Sequence, residues 1–197
     1  MDQAVLEASF RAYFLGLGHD IDWQYLSLSM MLHPVRKGDY LFHQGELANR
    51  LYFLHSGLVR YVGVSDAGKE FTQTFVKGPR VIGSTRAMVT GMPVLFGIQA
   101  LSDTMVISYP WAEFFQQMSQ DKGFLASYMA FLEQIFIAKE ERESAFVKHS
   151  AERRYLDFCA DYPELKEQVP LQYIASYIGI TPIALSRIRQ KLKLSNG

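Results

Sequence analysis

A single cysteine, Cys159, occurs among the 197 residues. That scarcity excludes an internal disulfide framework, a four-thiolate zinc site and an iron–sulfur cluster ligated by one chain. Within the helix-like stretch RRYLDFCADY it reads as buried filler. Long apolar runs are also missing. No segment approaches ~18 uninterrupted apolar residues, and the opening MDQAVLEASFRAYF lacks the cationic stretch, apolar run and cleavage site of an export signal. The expectation is a cytoplasmic protein with no membrane partner. Walker loops, nucleophile elbows and dinucleotide fingerprints do not occur. His33, His43 and His55 fall on neighbouring predicted strands near Glu46, the raw material of a cupin-like metal enzyme, yet no His-x-His pair and no later barrel histidine is present. We therefore expect no metal, no cofactor and no catalytic residue. Net charge is absent too, because 20 Lys and Arg balance 20 Asp and Glu. A polyanion-binding surface must then be local rather than global. One local absence fits that requirement: no acid lies between Gly179 and Gly197, where Arg187, Arg189, Lys191 and Lys193 stand.

The apolar share, 49%, is enough for a sizeable core. Helix-like segments run from about Asp2 to Leu15 and Asp22 to Met31, and then the period changes. From His33 to about Pro110 short β-rich runs such as DYLFHQG, RLYFLHSG and KEFTQTFVKG alternate with glycine turns, which predicts an antiparallel barrel or sandwich. After Pro110 the helical period returns. Phe124, Tyr128, Phe131, Ile135, Ala138, Arg142, Ala145 and His149 recur four and three apart, drawing one seam along a helix of about 28 residues. A second line, Leu125, Met129, Leu132 and Phe136, lies beside it. Two adjacent apolar lines exceed what one barrel covers, so the second line is expected to meet a copy of itself in a homodimer. Three shorter helical units follow Ser150.

The last of these, YIASYIGITPIALSRIRQKL, meets the internal constraints of a helix-turn-helix. Ala175 must be small where two helices cross. Gly179 supplies a positive φ for the turn, while Ile174, Ile178, Ile180, Leu185 and Ile188 fill the wedge. Thr181 caps the second helix and Pro182 occupies its first position, where the missing N–H is harmless. Ser186, Arg187 and Gln190 then face outward with Thr181, and Arg189, Lys191 and Lys193 flank them. These residue types bond phosphates and base edges.

The order of these pieces resembles the Crp/Fnr family of transcription regulators over residues from about 20 to 193. VRKGDYLFHQGELANRLYFLHSGLVRYV is similar to the opening of a cyclic-nucleotide-binding β-roll, and RVIGSTRAMVTGMPVLFGIQALSDTMVISYP occupies the place of its phosphate-binding cassette. Gly38, Gly45, Gly57 and Gly83 fall where that fold turns. The resemblance implies an α+β chain. An antiparallel jelly-roll effector domain with N-terminal helices would span 1–120, a dimerisation helix carrying Phe124, Tyr128, Phe131, Ile135 and Arg142 would span 121–150, and an all-α helix-turn-helix domain would span 151–197. It implies as partners a second copy of the chain, double-stranded DNA bearing an inverted repeat, a small-molecule effector and RNA polymerase. The DNA-binding residues it implies are Thr181, Pro182, Ser186, Arg187, Arg189, Gln190, Lys191 and Lys193.

Two departures qualify the resemblance. Members that bind cyclic AMP follow the cassette glycine with a glutamate for the ribose and carry a later arginine for the phosphate. Here Ser84 follows Gly83, and Val94 and Leu95 stand in the arginine's neighbourhood, so cyclic AMP is not the expected effector. Three alternatives remain for a pocket formed by Ile82, Gly83, Ser84, Thr85, Arg86, Val94, Leu95 and Phe96. Arg86 approaches a phosphate, or an apolar or neutral ligand lies between 94–96 and the long helix, or the pocket is filled by its own side chains. The second departure follows Lys193, where the family's two-stranded wing has only Leu194 to Gly197 to draw on. Arg153, Arg154 or Lys148 would then have to supply its phosphate contacts. A dimeric sensor working through protein contacts is the other reading, because Pro182 and Ile183 stand where base-reading residues usually do.

Overall fold

The computed structural model describes residues 2–195. An N-terminal helix α1 (Gln3–Leu15), capped by the Asp2 carboxylate, precedes eight strands: β1 (Met31–Val35), β2 (Tyr40–Phe42), β3 (Arg50–Ser56), β4 (Leu58–Val64), β5 (Glu70–Lys77), β6 (Arg80–Ile82), β7 (Gly97–Ala100) and β8 (Thr104–Pro110). A short helix α2 (Thr85–Thr90) interrupts them. After them come α3 (Trp111–Met118), the long α4 (Lys122–Lys148), α5 (Ala151–Asp161), α6 (Leu165–Gln168), α7 (Leu171–Tyr177) and α8 (Pro182–Ser195). The strands form two antiparallel four-stranded sheets in the orders β1-β8-β3-β6 and β2-β7-β4-β5. This is the α+β jelly roll the sequence led us to expect.

Alternation along the strands builds three cores. On β3, Tyr52 and Leu54 point between the sheets, where Phe42, Val59, Ile82, Val94, Ile98 and Val106 join them. Its odd-numbered neighbours Leu51 and Phe53 point out of the first sheet into a second core with Phe10, Phe14, Tyr109, Phe114, Phe124 and Phe131, contributed by α1, β8, α3 and α4. On β4 the same rule turns Leu58 out of the second sheet. With Phe75 of β5 it enters a third core made mostly of Tyr155, Phe158, Leu165, Ile174, Ala175, Ile178 and Leu185 from α5 to α8. The C-terminal helices thus rest on the roll.

Two expectations need correction. The predicted helix from Asp22 to Met31 is a three-residue 3-10 turn, Trp23–Tyr25, followed by extended chain. Leu26, Leu28 and Met30 alternate with Ser27 and Ser29, a two-residue period that lays all three apolar side chains against the second core. Beyond Ser150 the described residues form four helices rather than three, because the four-residue α6 separates α5 from α7.

Candidate nucleic-acid interface and effector pocket

α7, the turn at 178–181 and α8 form the helix-turn-helix. Gly179 has φ +76°, and the Ile180 N–H reaches back to the Ala175 carbonyl at 2.9 Å, closing α7. The Thr181 hydroxyl accepts the Ala184 N–H at 3.2 Å, which caps α8, and Pro182 is its first residue. Leu185 is buried and Ile188 and Leu192 pack beside it. The opposite face carries Ile183, Ser186, Arg187, Gln190 and Lys193, all exposed along with Thr181 and Pro182. Sequence reasoning placed Arg189 and Lys191 as flanking cations. Arg189 is half-buried close to Tyr155, and Lys191 Nζ lies 2.7 Å from Glu152 Oε2. Both therefore lean toward α5.

The arginines considered as substitutes for a wing have other partners. Arg153 pairs with Asp157 at 2.8 Å. Arg154 donates from Nε to the Ile178 carbonyl at 2.9 Å and from Nη1 to the His149 carbonyl at 2.7 Å. Lys148 is exposed in the last turn of α4. Arg142 donates to the Tyr177 carbonyl at 2.8 Å, and its guanidinium stacks on Tyr177 and Phe146. Arg142 and Arg154 thus hold the carbonyl end of α7 from two sides, with the Phe146 ring between them. Phe146 also fills the space beside Gly179. This clamp joins α4 directly to the turn. Nothing in the sequence marked it, because the donors and carbonyls come from distant segments.

The seam read on α4 faces inward. Phe124 and Phe131 lie in the second core, Tyr128 and Ile135 pack against it, and Arg142 belongs to the clamp. Residues at the same spacing meet the roll along the first half of the helix and the C-terminal helices along the second. The neighbouring line is the one left outward: Met129 is 61% exposed and Phe136 63%, with Leu125 and Leu132 partly covered.

Inside the roll, two aromatic side chains stand at the expected pocket. Tyr61 projects from β4, stacks on Phe96 with ring centroids 4.7 Å apart, and its hydroxyl accepts the Gly83 N–H at 2.9 Å. Burial pushes that hydroxyl up to about 12, so it stays protonated at neutral pH. Gly83 has φ +126°, presenting its N–H inward at the head of α2, and Ser84 caps α2 through the Ala87 N–H. Ile82 and Val94 are core residues, and Thr85 and Leu95 face solvent. Arg86 does not enter the roll; it bonds the Pro93 carbonyl and Met92 sulfur of its own loop. Among the described residues, the apolar cluster around Val94 and Phe96 includes none from α4. Around Gly83 the Tyr61 and Phe96 side chains take up the space, as the self-filled alternative supposes. Tyr61→Phe is expected to lower stability by about 1–3 kcal/mol by orphaning the Gly83 N–H. An unchanged denaturant midpoint would count against that bond.

The histidines stand apart. His33 Nε2 lies 2.8 Å from Ser108 Oγ, His43 stacks on Tyr40, and no cluster of three metal-ligating side chains exists among the described residues. No helix among the described residues is long and apolar enough to cross a membrane.

Comparison with known proteins agrees with this geometry. Residues 32–121 match the cyclic nucleotide-binding domain family. The chain is 25% identical over 173 residues to the anaerobic regulatory protein of Pasteurella multocida, covering 81% of this chain and 62% of that protein's length. It superposes on FixK2 from Bradyrhizobium japonicum with a TM-score of 0.71 at 17% identity, covering 86% of this chain and 87% of the other. CLP of Xanthomonas campestris, described as a c-di-GMP responsive global regulator, gives 0.72 at 14% identity with 98% and 93% covered. At those identities the structural likeness speaks for the fold alone, and what the chain shares with these proteins is a cyclic nucleotide-binding domain followed by helices.

Proposed function

We propose that this protein is a homodimeric, DNA-binding transcription regulator that does not use cyclic AMP. The observation that carries this reading is the capped, exposed face of α8, where Ser186, Arg187 and Gln190 stand clear of the chain's own contacts and Lys193 extends the face. In a dimer joined through the outward line of α4, two such faces about 34 Å apart would enter successive major grooves. Arg187 is the base reader, bidentate to a guanine, with Ser186 and Gln190 as secondary contacts. Ile183, 68% exposed, offers its side chain to a thymine methyl.

Selection of bound sequences from a random pool tests the reading: an inverted repeat is expected, and absence of any enriched site would favour a sensor acting through protein contacts. Arg187→Ala should weaken binding to the selected repeat by about 1–3 kcal/mol and relax preference at one base pair per half-site. Unchanged affinity at fixed salt would remove Arg187 from the reading face.

A further inference from the structure

A cleft lies where α4, α5, α7 and β5 meet, a cavity of about 410 Å³. Small residues, Ala138 and Ala145 on α4 and Ala160 on α5, form part of its lining. The remaining wall is aromatic. Phe158 lies 5.5 Å from Tyr162 and 5.6 Å from Tyr177, the two tyrosines meet at right angles 6.0 Å apart, and Phe146 closes one side. Such a volume suits a small organic molecule, and a junction between structural units is a common place to bind one.

Its charges choose the class of ligand. Two guanidiniums line the cavity, but Arg142 and Arg154 are both held by helix-terminal carbonyls and stacked on Phe146. Three carboxylates line it as well. Asp157 is tied to His149 and Arg153, whereas Glu141 and Asp161 are exposed. The cations are thus already bonded, and two carboxylates beside an aromatic wall remain for a ligand. Ring faces of this kind attract cations, and carboxylates add to that attraction.

We propose that this cleft binds a small molecule combining an aromatic body with an ammonium or similar cationic group, held by Tyr162, Tyr177 and Phe158 and by the carboxylates of Glu141 and Asp161. The occupant touches α4, α5 and α7 together, so it favours the arrangement in which they are docked and thereby sets the attitude of α8. An anionic effector is disfavoured at the same place.

Calorimetric titration of the full chain, with no DNA present, tests this using tryptamine as the cationic probe and indole-3-acetate as its anionic counterpart. Tryptamine is expected to saturate at one site per chain. Indole-3-acetate, and tryptamine added to the Glu141→Gln/Asp161→Asn variant, should each bind at least about tenfold more weakly. Both carboxylates are exposed, so the neutral variant keeps the fold. The proposal is overturned if tryptamine gives no saturable heat, if the anion binds as well, or if the neutral variant binds tryptamine unchanged. Because no DNA enters the titration, failure here leaves the DNA-reading proposal standing, and a protein that reads no DNA can still pass it.

Discussion

Gly179→Val will cost this protein about 3 kcal/mol and abolish specific DNA binding. Two effects combine. A residue with a side chain at φ +76° occupies the left-handed region at a cost of about 1–2 kcal/mol, more if β-branched. In addition, a Cβ built on Gly179 would stand 2.8 Å from Phe146 Cε1, closer than real contacts allow. Phe146 cannot yield freely, since Arg142 and Arg154 both stack on it while bonding the last carbonyls of α7. Relief at the turn therefore disturbs the clamp. Thermal unfolding should shift downward by about 5–10 °C, and a mobility-shift assay should show the selected repeat unbound. A melting temperature within about 1 °C of the parent would contradict the argument. Adding Phe146→Ala should recover part of the steric loss and none of the backbone loss, which a double-mutant cycle separates.

Phe136→Glu is expected to convert the dimer to a monomer and reduce operator affinity by about a hundredfold or more, since two linked half-sites are replaced by one. Phe136 and Met129 are among the most exposed large apolar side chains of the long helix, and they share one line with Leu125 and Leu132. Apolar surface of this kind invites a cover, and in the proposed dimer a two-fold copy of the same line would provide it. A carboxylate placed there would be buried unpaired opposite its own symmetry mate. Light scattering coupled to size exclusion reads the mass directly. A variant that stays dimeric would move the interface off this line. Phe131→Glu is a useful contrast, because that ring is buried against the roll and its replacement should unfold the protein rather than dissociate it.

The contrast between those two phenylalanines shows what the sequence could convey. Spacing of four and three established that α4 has a continuous apolar seam, and α4 does run for 27 residues. Periodicity reports that a face is covered, though, and not by which neighbour. The helix-turn-helix was legible because its constraints are local: Gly179, Thr181 and Pro182 act within a few residues of themselves. Glycine turns at Gly38, Gly45, Gly57 and Gly83 were legible for the same reason, and all four have positive φ. The plug in the roll was not. Tyr61 reads as one more aromatic in a strand, and only the fold brings its hydroxyl to Gly83, 22 residues away. The reading of Asp22 to Met31 failed on the period itself, because Leu26, Leu28 and Met30 alternate with serines at a two-residue period.

The seat of α7 on the second sheet bears on how such regulators can be rebuilt. The Thr72 N–H donates to Ser176 Oγ at 2.9 Å, Arg60, only 2% exposed, lies 3.6 Å from the centre of the Tyr173 ring while paired with Glu70, and Phe75 sits among Phe158, Tyr162 and Tyr177. Without α7, the charge on Arg60 would lose its aromatic cover and Phe75 would lose Tyr177, one of its three aromatic neighbours. The helix-turn-helix is therefore not an interchangeable cartridge. A graft from a relative would have to bring its own matches for Tyr173, Ser176 and Tyr177, or carry β4 and β5 along with it.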